Sequence, residues 1–151
     1  MQLVVLGLNH RSAAVEVRER FSFEKNEVES ALNRLYEYEK ISECVILSTC
    51  NRTEIYAVLE DVQSPKAYML DVLKHLKHAD TTDESAFFFY EEKACIEHLF
   101  RVSASLDSLV LGEGQILSQL KGAYIAAYSA GFTGTVFNIL FQRAIGVGKK
   151  V

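Results

Sequence analysis

One cysteine of this sequence stands inside an unbroken polar run, Ser48-Thr49-Cys50-Asn51-Arg52-Thr53-Glu54, directly after the apolar stretch Cys44-Val45-Ile46-Leu47. Structural cysteines sit among apolar neighbours, so the setting is unusual. A thiol at a strand end with a guanidinium two residues on is placed to act as a thiolate, the form that attacks carbonyl carbon. The same residues also read as a polar hairpin loop that contains a cysteine for no chemical reason, and spacing alone does not separate the two. Cys44 and Cys95 read as ordinary buried thiols. Three widely spaced cysteines with no CxxC or CxxH pair argue against a disulfide framework or a zinc site.

Three other segments could join this chemistry. Leu3-Val4-Val5-Leu6 with Leu8 reads as a buried strand that stops at the polar cluster Asn9-His10-Arg11. If this strand and the one ending at Leu47 run parallel in one sheet, their C-terminal ends share an edge and Asn9 approaches Cys50. Without the cysteine, His10 reads as a surface residue. His98 falls on the apolar stripe of a helix between Cys95 and Val102. It is either a satisfied core histidine or an imidazole that exchanges protons near a thiolate. From Ser105 to Gln115, Gly112 and Gly114 set a tight backbone among hydroxyl, carboxylate and amide groups. This is either a substrate-binding turn or a plain helix entry. It is not a dinucleotide fingerprint, because Leu117 stands where the third glycine belongs and no strand precedes it.

The elements that must position these residues follow from periodicity. A short helix is expected over 12–20 with Ser12 as N-cap, and an amphipathic helix over 24–38 with Ser22 as cap and Glu24 at its positive end. Cys44–Leu47 and 53–59 are strands, the latter with Ile55, Ala57 and Leu59 on one face. Ser64-Pro65 starts a helix over 65–77. Phe87–Tyr90 is a fourth strand. Helices then carry Cys95, His98, Leu99 and Val102, and Leu117, Leu120, Tyr124 and Ala127, the second ending near Gly131. A last helix begins near Thr133–Thr135 and is apolar nearly all round, so it needs partners on several sides. The order β-α-β-β-α-β followed by helices predicts an α+β fold, with a four-stranded antiparallel or mixed sheet covered by helices.

The chain has 151 residues, 49% of them apolar, enough for one domain with a real core. Its formal charge of −4 argues against wholesale coating of nucleic acid while leaving room for a local basic patch. No apolar run approaches the roughly 20 residues of a membrane helix, and the start lacks a basic n-region, so the expectation is a cytoplasmic protein without a signal peptide.

Taken together, the motifs resemble the glutamyl-tRNA reductases, in their N-terminal catalytic domain. The resemblance rests on Gly7-Leu8-Asn9-His10-Arg11 with Arg18-Glu19, on Ser48 to Glu54, and on His98-Leu99-Phe100-Arg101 through Leu106 to Glu113 with Gln115-Ile116. Each motif alone is weak; three in register across nearly the whole chain are specific. Ser105, Gly114 and Ser118 depart from the family, where glycine, proline and glycine are common.

The resemblance implies an enzyme that reduces glutamyl-tRNA with NADPH to glutamate-1-semialdehyde, the entry to tetrapyrrole synthesis, through a thioester on Cys50 and without a metal. It implies an active-site role for His98 and recognition of glutamate by Arg52, whose planar fork suits a carboxylate. Thr49, Ser108, Glu113 and Gln115 match positions lining the glutamate pocket, with Asn9 beside it. By the same resemblance, residues 1–133 are the catalytic domain and 134–151 begin a long linking helix. The NADPH-binding and dimerisation domains are expected to lie beyond this chain. A homodimer at full length and a partner aminomutase of the same pathway are further implications. The competing readings are a non-catalytic tRNA-binding or adaptor domain and an unrelated cysteine thioesterase.

Overall fold

A computed structural model of the chain describes residues 1–80, 84–105 and 115–150. Strands β1 (Gln2–Asn9), β2 (Ile41–Ser48), β3 (Arg52–Leu59) and β4 (Phe88–Glu91) form one sheet in the order β2-β3-β1-β4. Every neighbouring pair is antiparallel, so the expected α+β fold takes the antiparallel of its two forms. Because β3 lies between β1 and β2 and opposes both, those two run the same way and end at one edge. There Asn9 pairs across from Arg52.

Helices α1 (Val15–Phe21) and α2 (Lys25–Arg34) connect β1 to β2, and α3 (Pro65–Lys77) lies between β3 and β4. Helices α4 (Lys93–Ser103), α5 (Ile116–Ser129) and α6 (Thr135–Gly148) follow the sheet in sequence and pack on one another. Alternation along β3 shows which layer lies on which face. The Thr53 hydroxyl meets Ser48, whose own oxygen accepts the Phe23 N–H just before α2. Its neighbour Glu54 points the other way, to α4, and Tyr56 packs edge-on against Phe141 of α6. All eight residues of β3 are therefore buried, not only the expected face of Ile55, Ala57 and Leu59. Among the described residues, no helix is long and apolar enough to cross a membrane.

Two helix starts differ from expectation, for local reasons. Ser12 does not cap α1; its hydroxyl accepts the Asn9 N–H at 3.0 Å in the turn that leaves β1, and the helix starts three residues later from Ala14. Ser22 does not cap α2, since its hydroxyl donates to the Glu19 carbonyl. Glu24 takes that place in a reciprocal capping box with Glu27. The helix then tightens into a 3-10 turn at Leu35–Glu37, so the expected 24–38 helix is shorter. Pro65 opens α3 as its first-turn signal predicts, although the Ser64 side chain makes no capping bond.

The last helix is fastened from an unexpected direction. Glu43 of β2, 7% exposed, accepts the Gly134, Phe137 and Val136 N–H groups at 2.6, 2.8 and 3.3 Å. One carboxylate thus satisfies the Val136 and Phe137 donors in the first turn of α6, with the Gly134 N–H before it, and meets the positive end of the helix dipole. Phe137 and Phe141 pack edge to face at 5.1 Å, and Phe141 stacks on Tyr124 at 5.9 Å. These supply the several partners that an all-round apolar helix requires, with Ile139 and Val147 still exposed.

Candidate active site

The β2–β3 turn holds Cys50 at the sheet edge. Thr49 N–H donates to the Arg52 carbonyl at 2.8 Å, closing the turn around Cys50 and Asn51. The Thr49 hydroxyl accepts the Asn51 N–H at 3.1 Å. Cys50 is exposed, whereas Cys44 and Cys95 are buried as expected.

The strand that leaves the turn, β3, carries a buried charged cluster. Arg52, 1% exposed, donates from Nη1 to Glu54 Oε2 at 2.9 Å. His98 reaches the same oxygen from α4 through Nε2 at 3.0 Å. The Tyr56 hydroxyl donates to Glu54 Oε1 at 2.5 Å. Burial opposes the charge of Glu54, but His98, first through its hydrogen bond, then the Arg52 charge and the Tyr56 hydroxyl outweigh it and lower its carboxyl. Burial, and next the Glu54 charge, hold the Tyr56 phenol well above its ordinary range. Glu54 balances the charge of the Arg52 guanidinium that stands two residues after Cys50.

His98 is 7% exposed and sits between the rings of Phe88 at 4.9 Å and Tyr90 at 5.2 Å. It is buried on the apolar stripe and hydrogen-bonded to a carboxylate. Gly7 makes room for this packing. A Cβ there would lie 2.7 Å from the Phe88 ring tip, 2.7 Å from the Thr53 carbonyl oxygen and 3.0 Å from Glu54 Cγ.

Asn9 joins the same edge as a turn-former. Its side-chain oxygen accepts the Arg11 and Ser12 N–H groups at 2.9 and 3.2 Å, an Asx turn that ends β1 opposite Arg52. Gln115 is exposed at the foot of α5, where its carbonyl accepts the Gln119 N–H. Ser108, Glu113 and the Gly112–Gly114 turn lie outside the described residues. Sequence reasoning quoted Glu54 within its motif but gave it no part in the site, and it missed Tyr56 altogether. The available signal was period two: Arg52, Glu54 and Tyr56 share one face of a strand.

The buried thiols make stability fall in alkali. Burial raises the Cys44 thiol; burial, then Glu54 and Glu92, raise Cys95. A folded value above the unfolded one, about 8.5, gives stability that is complete below that pH and lost as pH rises. The urea midpoint is expected to hold to about pH 8 and then drop, each buried thiol contributing up to roughly 1.4 kcal/mol per pH unit. Cys44→Ala should flatten that slope, and an equal slope in the variant would contradict the assignment.

The fold and its edge define an α+β domain of the split β-α-β type, carrying an exposed thiol before a buried guanidinium–carboxylate–imidazole cluster. The chain belongs to the family described as "Glutamyl-tRNAGlu reductase, N-terminal domain", whose family model matches residues 6–151. It is 42% identical over 151 residues to the glutamyl-tRNA reductase of Bacillus subtilis (strain 168), covering 99% of this chain and 33% of that protein. Against the glutamyl-tRNA reductase of Listeria welshimeri the identity is 43%, covering 100% of this chain and 35% of that protein. A solved structure, the glutamyl-tRNA reductase from Methanopyrus kandleri, superimposes with a TM-score of 0.80 at 32% identity, covering 98% of this chain and 33% of that one. The chain spans about a third of the length of the relatives it matches.

Proposed function

We propose that this chain is the glutamyl-accepting catalytic domain of an NADPH-dependent glutamyl-tRNA reductase. The single observation that carries the reading is the exposed Cys50 at the sheet edge, in the turn that leads into β3, where Arg52 and His98 are joined through Glu54. The Cys50 thiolate attacks the ester carbonyl of glutamyl-tRNA. A carbon–sulfur bond forms, the carbon–oxygen bond to the terminal ribose breaks, and the leaving oxygen takes a proton as tRNA departs. Arg52 supplies the planar donor fork that fits the substrate carboxylate, and Thr49 lies beside it in the turn. His98 handles the proton. Ser108, Glu113 and Gln115 are assigned to the same pocket by their match to the family, with Asn9 shaping its rim.

The chain spans about a third of its relatives' length, and reduction to glutamate-1-semialdehyde by NADPH is assigned to the remainder of the full-length protein. In this reading residues 1–133 are the catalytic unit and 134–151 begin a linking helix. A cytoplasmic homodimer that hands its aldehyde to an aminomutase completes the proposal.

The test is intact-mass and peptide mass spectrometry after brief incubation with glutamyl-tRNA. A glutamyl adduct on Cys50, absent in Cys50→Ser, is the expected result. An unmodified wild-type chain, or equal labelling of the serine variant, would refute the reading.

A further inference from the structure

Glu54 is the hub of the buried cluster, and nothing in the thioester reaction requires it to touch substrate. Its two oxygens receive three donors from two elements: Arg52 and Tyr56 from its own strand and His98 from α4. The residue is 0% exposed. An ionised carboxylate can only accept hydrogen bonds, so the His98 nitrogen 3.0 Å away must bring the proton.

We propose that Glu54 is the positioning residue of the site: it fixes the Arg52 guanidinium and the His98 imidazole relative to one another and keeps the proton of neutral His98 on Nε2. The lone pair of the neutral ring is then on Nδ1. That nitrogen is left without a proton, the state in which an imidazole can accept one. Tyr56 completes the arrangement. Its proton stays on the phenol in this setting, so it holds Glu54 Oε1 and leaves Oε2 to the two functional side chains. The phenyl and phenol rings of Phe88 and Tyr90 limit rotation of the imidazole from β4. This rests on reading the site as an acyl-transfer centre only for its kinetic consequence; the tautomer follows from the geometry alone.

Two measurements test it. In protein labelled with 15N-histidine, at a pH where the ring is neutral, His98 is expected as one tautomer protonated on Nε2. In Arg52→Met/Glu54→Met, which replaces the buried ion pair by apolar side chains and avoids stranding one charge, the Nδ1-protonated tautomer should appear. Wild-type His98 protonated on Nδ1 would overturn the proposal. In single-turnover acylation by glutamyl-tRNA, Glu54→Gln is expected to slow the step at saturation by about 100-fold and also to raise the half-saturating concentration through the loosened Arg52, with a folded thermal transition. A wild-type rate in that variant, or a loss confined to half-saturation, would also overturn it. Should the glutamine variant not fold, the wild-type tautomer still decides. If wild-type chain takes no glutamyl group, the functional reading fails while the tautomer result stands by itself.

Discussion

Arg52→Ala is expected to cost about 3–5 kcal/mol of stability, which for a chain of this size lowers the melting temperature by roughly 10 °C. The reason lies in what the substitution leaves behind. Glu54 is fully buried, and the Arg52 charge helps keep its carboxyl ionised. Without it, the group must either hold an under-compensated charge in the interior or take up a proton, and both cost free energy. Arg52→Met/Glu54→Leu should recover part of the loss, because apolar side chains can replace the buried pair itself at little net cost, while the Tyr56 hydroxyl and the His98 Nε2–H lose their acceptor. Urea denaturation of Arg52→Met, Glu54→Leu and the double variant measures the coupling. A single variant within about 1 kcal/mol of wild type, or a double variant no better than the worse single, would contradict this account. The same substitution should remove selection of glutamyl over other acyl groups in the adduct assay, and Arg52→Lys should restore charge without the paired donors of the fork.

Gly7→Ala is expected to be nearly as damaging, at about 3 kcal/mol or more. The new methyl would stand 2.7 Å from the Thr53 carbonyl oxygen, and that oxygen belongs to β3, which is paired on both sides. A flexible side chain could move aside; this backbone cannot without parting β1 from β3. The other two clashes fall on Phe88 and Glu54, one flanking and one bonding His98. Loss of Cys50 acylation should therefore accompany loss of stability. Gly122→Ala in α5 is the control: a Cβ there meets nothing within 4 Å. It should stabilise by about 0.5–1 kcal/mol through helix propensity. Thermal denaturation of the pair separates the effect of space from that of glycine itself.

Much of this arrangement is legible from residues alone, and the gaps have physical causes. Periodicity located every strand, because apolar alternation and the abrupt polar stops at Asn9 and Ser48 are local signals. The shared edge of β1 and β2 also followed, since two parallel strands end together even when a third lies between them. Cap assignments failed where a serine had a better partner than the helix: Ser12 chose Asn9 and Ser22 chose Glu19. The face of Arg52, Glu54 and Tyr56 was obscured for a different reason. Polar alternation ordinarily marks a solvated face, and only packing of α4 and α6 over that side turns it into an interior. Glu43 was invisible for the same reason, as its partners lie some 90 residues away at the start of α6.

That long-range clamp has a mechanical consequence. Glu43 and Cys50 stand near opposite ends of β2, roughly 20 Å apart along an extended chain, with the strand as a stiff rod between them. Tension or tilt applied to the last helix is resisted first at its bolted end. Through the rod, the load is borne by the same strand that presents the sulfur.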